Sequence, residues 1–338
     1  MVKMNNPLGA TLAAFGQRVG RRQGGLGLAT GQRLDGATVL VTGANSGLGK
    51  AIAIELAARG ARLLLACRSG IPEAGEEIAR AAGGAAVEML PVDLGDLASV
   101  RRLCDTLRDR GERIDVLVCN AGVMPRQSRR TAQGFEQMFQ VNFLANVLLS
   151  RRLLEDGVIP NRSLARTPAA ARQGAIPRIV FVSSEVHRSA PPIDADTLGQ
   201  YVEYGTLTGM KQYAHTKLAV CTYATELARR LRAPGDATGV DVAVHAICPG
   251  PVDSNMAREA PVWMKPLLRP LMRLFFASPA EAARPVTYLA AAAAIEGQTD
   301  LYLHRSDAKP TADAARDAER GRRIWQAAWA LLERAGAA

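Results

Sequence analysis

The chain has 338 residues, a net charge of +10 from 42 Lys+Arg against 32 Asp+Glu, and 48% apolar side chains, enough for a large buried core. The basic excess suits a polyanionic cofactor, an anionic membrane surface or plain solubility; with no nucleic-acid-binding motif beside it, it gives no case for a nucleic-acid partner. Five cysteines, odd in number, widely spaced and without a Cys-x-x-Cys, argue against a disulfide framework or zinc site and for a reducing, cytoplasmic setting.

Residues 1–33 read as a basic N-terminal extension with no acidic residue and no signal peptide. Its apolar stretch, residues 10–15, is too short to span a bilayer, which takes about 20 residues. Leu8, Leu12, Phe15 and Val19 recur at helical spacing near Arg18, Arg21 and Arg22, as in a surface-binding amphipathic helix or a terminal helix that docks or stays mobile. From 34 to 338, strand-like apolar runs alternate with helical patterns. Strands are expected at residues 38–41, 62–67, 86–91, 114–119, 178–182 and 240–247, with a short seventh at 301–303. Helices are expected at 50–59, 138–154 and 213–231. Continuous apolar strands separated by helices predict an α/β fold: one Rossmann-type doubly wound parallel sheet of about seven strands, covered on both faces, in a single domain. Residues 157–175, rich in Arg, Ala and Pro, lie where a helix should turn into a strand and read as a surface insertion. Residues 261–277 are strongly apolar, and Pro266 and Pro270 prevent one long regular helix there.

Two motifs carry chemistry. The run Thr42-Gly43-Ala44-Asn45-Ser46-Gly47-Leu48-Gly49 joins an apolar strand to an apolar helix, the arrangement that receives a dinucleotide pyrophosphate. Gly43 permits the tight turn, while Gly47 and Gly49 allow close approach of the cofactor. The second strand ends Ala66-Cys67-Arg68-Ser69. A carboxylate there would bind the ribose 2′-hydroxyl of NAD; Arg68, with Ser69 beside it, suits the 2′-phosphate of NADP instead. Downstream, Tyr213 and Lys217 are four residues apart, one helical turn on one face. An ammonium near a phenol favours the phenolate, which makes the tyrosine a usable acid/base. A hydride carrier and a proton carrier together suggest carbonyl/alcohol redox chemistry. His187, His215, His245 and His304 show no ligand spacing, and none is assigned to a metal.

With these residues the chain resembles the short-chain dehydrogenase/reductases, and more narrowly their retinol dehydrogenase-like group, from about residue 34 to 336. Asp93-Leu94 matches the adenine-contacting pair, Asn120-Ala121-Gly122 the loop after the fourth strand, and Pro249-Gly250-Pro251-Val252-Asp253-Ser254 the family's Pro-Gly motif. Thr131-Ala132-Gln133-Gly134-Phe135-Glu136, Val141-Asn142-Phe143-Leu144 and Val182-Ser183-Ser184-Glu185-Val186-His187 resemble the narrower group. The resemblance implies a catalytic set of Asn142, Ser184, Tyr213 and Lys217, with Ser184 preferred because the family's serine is second in its pair. Ser184 would donate to the reacting oxygen, Tyr213 move the proton, Lys217 bias that proton and hold the nicotinamide ribose, and Asn142 seat a relay water. Further implied cofactor contacts are Asn45, Ser46, Leu48, Pro249, Gly250, Val252 and Ser254, the last standing where the family usually has threonine. The family carries its substrate lid at residues 261–277, so a small lipophilic substrate is expected: a retinoid-like or fatty aldehyde, a steroid or a polyketide-like ketone. A core-packing helix reads that stretch equally well. Lys265, Arg269 and Arg273 beside its apolar residues suggest weak peripheral membrane contact. Two alternatives remain, a protochlorophyllide-reductase-like enzyme and a nucleotide-sensing protein of the same fold without turnover; oligomeric state is open.

Overall fold

The computed structural model describes residues 26–167, 174–206, 208–233, 239–252 and 277–338. The N-terminal segment to residue 25, Ser254, and residues 261–276 with their basic stripe lie outside the described residues. Strands β1 (Thr38–Thr42), β2 (Arg62–Cys67), β3 (Val87–Pro91), β4 (Val116–Cys119), β5 (Arg178–Val182), β6 (Ala243–Cys248), β7 (Leu301–His304) and β8 (Asp307–Ala308) form one sheet in the order β3-β2-β1-β4-β5-β6-β7-β8. Every pairing is parallel except β7 with β8. Among the described residues the sheet thus has one strand more than the seven expected. The extra one is a two-residue return, too short for any periodicity to mark.

The central strands are buried on both faces, and alternate residues divide between two cores. Leu40, Leu64, Leu117 and Ile179 belong to one, Val39, Val41, Leu63, Leu65, Val118 and Val180 to the other. On the second face lie α1 (Gly47–Ala57), α2 (Glu73–Ala81) and α7 (Pro279–Ala291), with Ile52, Leu56, Ile78, Val286 and Leu289 in the core. The first face is covered by α3 (Leu97–Asp109), α5 (Ala145–Glu155), α6 (Gly209–Arg230) and α9 (Ala318–Arg334). A short α8 (Asp313–Arg316) precedes the last helix. The strand order reverses at β1, so the crevice between the ends of β1 and β4 is the switch point where doubly wound sheets take their ligands.

The regular helix expected over 138–154 is interrupted. A short α4 (Gln137–Phe139) runs into a π-helical turn (Gln140–Leu144) before α5 begins. All five residues of that turn are buried, Asn142 among them, and single π-turns inside helices mark functional positions in many proteins. The stretch after residue 157 is less superficial than expected. Val158 and Ile159 are buried, and buried Asn161 donates to the carbonyls of Leu154 and Ile159 at 2.8 and 2.9 Å. The Asp241 carboxylate then accepts from the backbone of Arg162 and Ser163 at 2.6 and 2.9 Å. Its first turn is therefore core structure, and residues 168–173 lie outside the described residues.

Candidate active site

The C-terminal ends of β1, β2 and β4 build one side of the crevice. Gly43 and Gly47 have φ of 68° and 55°, a region where glycine carries no Cβ penalty. Gly49 differs from its expected role. A Cβ there would overlap the Gly43 carbonyl and the Asn120 amide nitrogen, so this glycine serves close packing of α1 on the strand ends rather than the approach of a cofactor. Asn120 also works inward: its Nδ2 donates to the Thr42 carbonyl at 2.9 Å, and Thr42 Oγ1 accepts from the backbone N–H of Asn120 and Ala121 at 3.0 Å each. Ser46 precedes α1 without capping it, and no acidic residue lies in the first turn, which leaves that N-terminus suited to phosphate. At the end of β2 the Asn45 amide donates to Ser69 Oγ at 3.2 Å, and the Arg68 guanidinium lies exposed, 4.0 Å from the Asp93 carboxylate. Asp93 Oδ1 accepts from Gly95 N–H at 2.8 Å, shaping the turn that follows Leu94, which is buried. The loop, the uncapped helix start and the exposed Arg68 fit an NAD(P) dinucleotide.

The ends of β5 and β6 with α6 build the other side. The two serines after β5 diverge. Ser183 is buried, its Oγ donating to the Lys217 carbonyl at 3.2 Å and lying 3.2 Å from Cys221 Sγ. Ser184 starts the 3-10 turn Glu185–Ser189 with an extended backbone; its Oγ accepts from the Val186 N–H at 3.5 Å, and its hydroxyl acts on the neighbouring Tyr213 phenol, favouring the phenolate. Lys217 Nζ donates to the Val182 carbonyl at 2.9 Å and lies 5.5 Å from the Tyr213 ring centre. The Asn142 amide is locked to the backbone of Val123: Oδ1 accepts from its N–H at 2.8 Å and Nδ2 donates to its carbonyl at 3.0 Å. A Cβ added to Gly122 would sit 3.3 Å from Asn142 Oδ1 and 3.7 Å from Lys217 Nζ, so the loop after β4 touches both. After β6, Gly250 takes φ 83° and Val252 pairs with Ala277. Asn142, Ser184, Tyr213 and Lys217 are thus brought to one edge beside the glycine loop.

The electrostatics differ from the sequence expectation. Burial pushes the Tyr213 phenol above its ordinary value, proximity to Cys248 adds to this, and only the Ser184 hydrogen bond opposes it. Burial also pulls Lys217 down to about 8. The two do share a helix face, but the ammonium is directed to β5, and desolvation disfavours the charged form of each group. The protein's own groups therefore hold Tyr213 as a proton-bearing phenol.

Several buried and half-buried polar residues escaped the sequence reading as site components. Glu136 accepts four hydrogen bonds: from the N–H of Met138 and Phe139 at 2.8 and 2.9 Å, from Tyr204 Oη at 2.8 Å and from Gln212 Nε2 at 3.0 Å. It caps α4 and ties the neighbour of Tyr213 to the loop before α6; an acidic residue just ahead of an apolar helix was the available signal. Glu185 accepts from Lys309 at 2.9 Å and Tyr302 Oη at 3.1 Å, and also pairs with Arg188. Burial works to raise its pKa, but the bonds from Lys309 and Arg188 overcome that and hold it at about 2. The donor atoms of Glu185, Cys248 and His304 lie within 4.8 Å of one another, a grouping invisible in the sequence because three segments supply it. Lys309 Nζ stands between Glu185 and His304 Nδ1, 3.0 Å from the latter, and already provides the cation.

Comparison with known proteins agrees with this geometry. The short chain dehydrogenase family model matches residues 37–191. The dehydrogenase/reductase SDR family member 13 of Bos taurus is 36% identical over 299 residues, 87% of this chain and 72% of that one. Human retinol dehydrogenase 13 is 34% identical over 299 residues, 86% of this chain and 83% of its own. Among solved structures, an uncharacterized protein from Mycobacterium Paratuberculosis superposes with a TM-score of 0.65 at 28% identity, covering 89% of this chain and 95% of that one. The angucycline C-6 ketoreductase LanV with bound NADP gives 0.57 at 26% identity, over 81% and 95%. A 3-2-1-4-5-6 parallel order, a glycine loop at its switch point and relatives matched over most of their length lead to one conclusion: the chain is an oxidoreductase of the short-chain dehydrogenase family, in its retinol dehydrogenase-like group.

Proposed function

We propose that the protein transfers hydride between NADP(H) and a lipophilic aldehyde, ketone or alcohol, with Asn142, Ser184, Tyr213 and Lys217 as its proton-handling set. The convergence of these four side chains beside the glycine loop carries this reading. NADPH, when bound, supplies the hydride. Gly43, Asn45, Ser46, Gly47 and Leu48 would hold its pyrophosphate, and Arg68 with Ser69 its 2′-phosphate. The bound NADP of the LanV structure and the absence of a carboxylate at the end of β2 support that preference. In reduction Tyr213 gives its proton to the carbonyl oxygen while the Ser184 hydroxyl donates a second hydrogen bond as charge builds there. Lys217 stabilises the phenolate left behind, and Asn142 fixes the Val123 backbone beside Lys217. The names of the retinol dehydrogenase relatives support a long apolar substrate.

The test is a product-profiled panel of aldehydes, ketones and alcohols, retinal and fatty aldehydes included, run with NADPH and NADH and their oxidised forms. Turnover of an apolar carbonyl with NADPH at least tenfold faster than with NADH is expected. A clear NADH preference, or cofactor binding with no turnover across the panel, sinks the proposal.

A further inference from the structure

His187 has no exposed surface and belongs to the 3-10 turn directly after Ser184. Its two ring nitrogens face partners of opposite kind. Nδ1 lies 2.8 Å from the Ser184 carbonyl, which can only accept, so Nδ1 carries a proton. Nε2 lies 3.0 Å from the Ala312 N–H, which can only donate, so Nε2 presents its lone pair. The ring is therefore the neutral Nδ1–H tautomer, and the edge-on Tyr302 ring, 5.2 Å away, fixes its plane. The Ser184 carbonyl also accepts the His187 backbone N–H at 3.1 Å. Two donors on one oxygen set the peptide plane that leaves Ser184 and hold its backbone extended, with φ −152° and ψ 148°. The Ser184 Oγ accepts from the Val186 N–H at 3.5 Å, inside the turn that His187 anchors. The turn is braced from the same side by Glu185 on Lys309 and by Arg188 on the Pro310 carbonyl at 2.5 Å.

We propose that His187 is a positioning residue for Ser184: a neutral imidazole strut, seated on the Ala312 N–H, that holds the Ser184 hydroxyl against Tyr213 through the Ser184 carbonyl. This rests on the reading of Ser184 as donor to the reacting oxygen. Displacing a reacting group by about 1 Å can cost on the order of 100-fold in rate, so such a strut acts on kcat while cofactor binding is untouched.

Two substitutions separate the two ends of the strut. In His187→Asn the amide nitrogen takes the place of Nδ1 and still donates to Ser184, but nothing reaches Ala312. In His187→Gln the amide oxygen takes the place of Nε2 and still accepts from Ala312, but the bond to Ser184 is lost. With NADPH and the best carbonyl compound of the panel, His187→Asn should keep kcat within about threefold and His187→Gln should lose at least tenfold, with KM for NADPH unchanged in both. Equal losses that track Tm, or full kcat in His187→Gln, overturn the proposal. If neither variant folds, Ala312→Pro reads the same strut: the φ of −57° suits proline, and its ring Cδ, in place of the N–H that meets Nε2 at 3.0 Å, pushes the imidazole away from the Ser184 carbonyl. A lowered kcat with unchanged KM for NADPH supports the strut there; an unchanged kcat overturns it. Ser184→Ala separates the two levels. If it retains full turnover, the role of Ser184 falls and the strut with it; if it is inactive while the His187 variants behave alike, only the strut falls.

Discussion

The two sides of the crevice are built on opposite plans. On the dinucleotide side, the groups proposed to meet the ligand are backbone N–H groups and open side chains: Arg68 is 66% exposed and Asp93 44%. On the proton-transfer side, Lys217, His187 and Glu136 are buried, and each has a partner tens of residues away or more. The difference follows from what each side handles. An exposed charge costs little to keep and contributes little until a phosphate arrives. A proton relay needs a low dielectric, where every unpaired polar atom is expensive and must be matched by a partner.

Breaking the buried side should have the largest effect. Tyr213→Phe removes the proton and keeps the ring, so kcat should fall about 1,000-fold while NADPH affinity, read by fluorescence titration, stays put; near-normal kcat would mean that another group moves the proton. Acid should next expose the cost of the buried imidazole. His187 is held at about 4, by burial first, against 6.5 ordinarily. The unfolded chain therefore takes a proton below pH 6.5 that the folded chain refuses until about 4, and stability falls as pH drops through that window and no further below it. The loss is about 3 kcal/mol, and denaturant titrations of wild type and His187→Gln should show the variant free of that part of the slope. On the open side, Arg68→Ala should weaken NADPH about 10- to 100-fold, from charge-assisted bonds of about 1.5–3 kcal/mol, and leave NADH unchanged; equal loss for both would remove the selectivity assignment. The smallest effect joins the two sides. Lys217, charged below about 8 and neutral above, should make kcat/KM for reduction fall up to tenfold per unit as pH rises through that value, and Lys217→Arg should abolish this limb whatever its residual rate.

What could be read from the sequence divides along the same line. The sheet was legible because its strands are unbroken apolar runs, and the glycine loop because its parts are consecutive. Tyr213 and Lys217 were legible because one helical turn brings them together. Residues whose meaning depends on distant partners were not. Nothing near His187 announces Ala312, and nothing near Glu136 announces Tyr204. The π-turn at Asn142 replaces a stretch that reads as ordinary helix, since its five residues are as buried as a helix core would be. Gly49 shows the limit of a motif: the spacing was read correctly, but the reason for the glycine is the Gly43 carbonyl and Asn120, a tertiary contact.

The bracing of Ser184 has a consequence for the order in which a working enzyme comes into being. Tyr302, Lys309, Pro310 and Ala312 all leave the ribosome after Ser184, Tyr213 and Lys217, and β7 joins the sheet only by pairing with β6, which precedes it by more than fifty residues. Domains assemble from the N-terminus during synthesis. A nascent chain therefore has its glycine loop, Ser184, Tyr213 and Lys217 before it has the struts that set them, so the crevice precedes the competence to use it. Turnover is expected to switch on only once residues 301–312 have emerged and docked. Ribosome-tethered chains arrested after Asp300, compared with full-length chains on the same tether, should lack NADPH-dependent reduction; activity in the shorter chain would show that the site sets without its C-terminal brace.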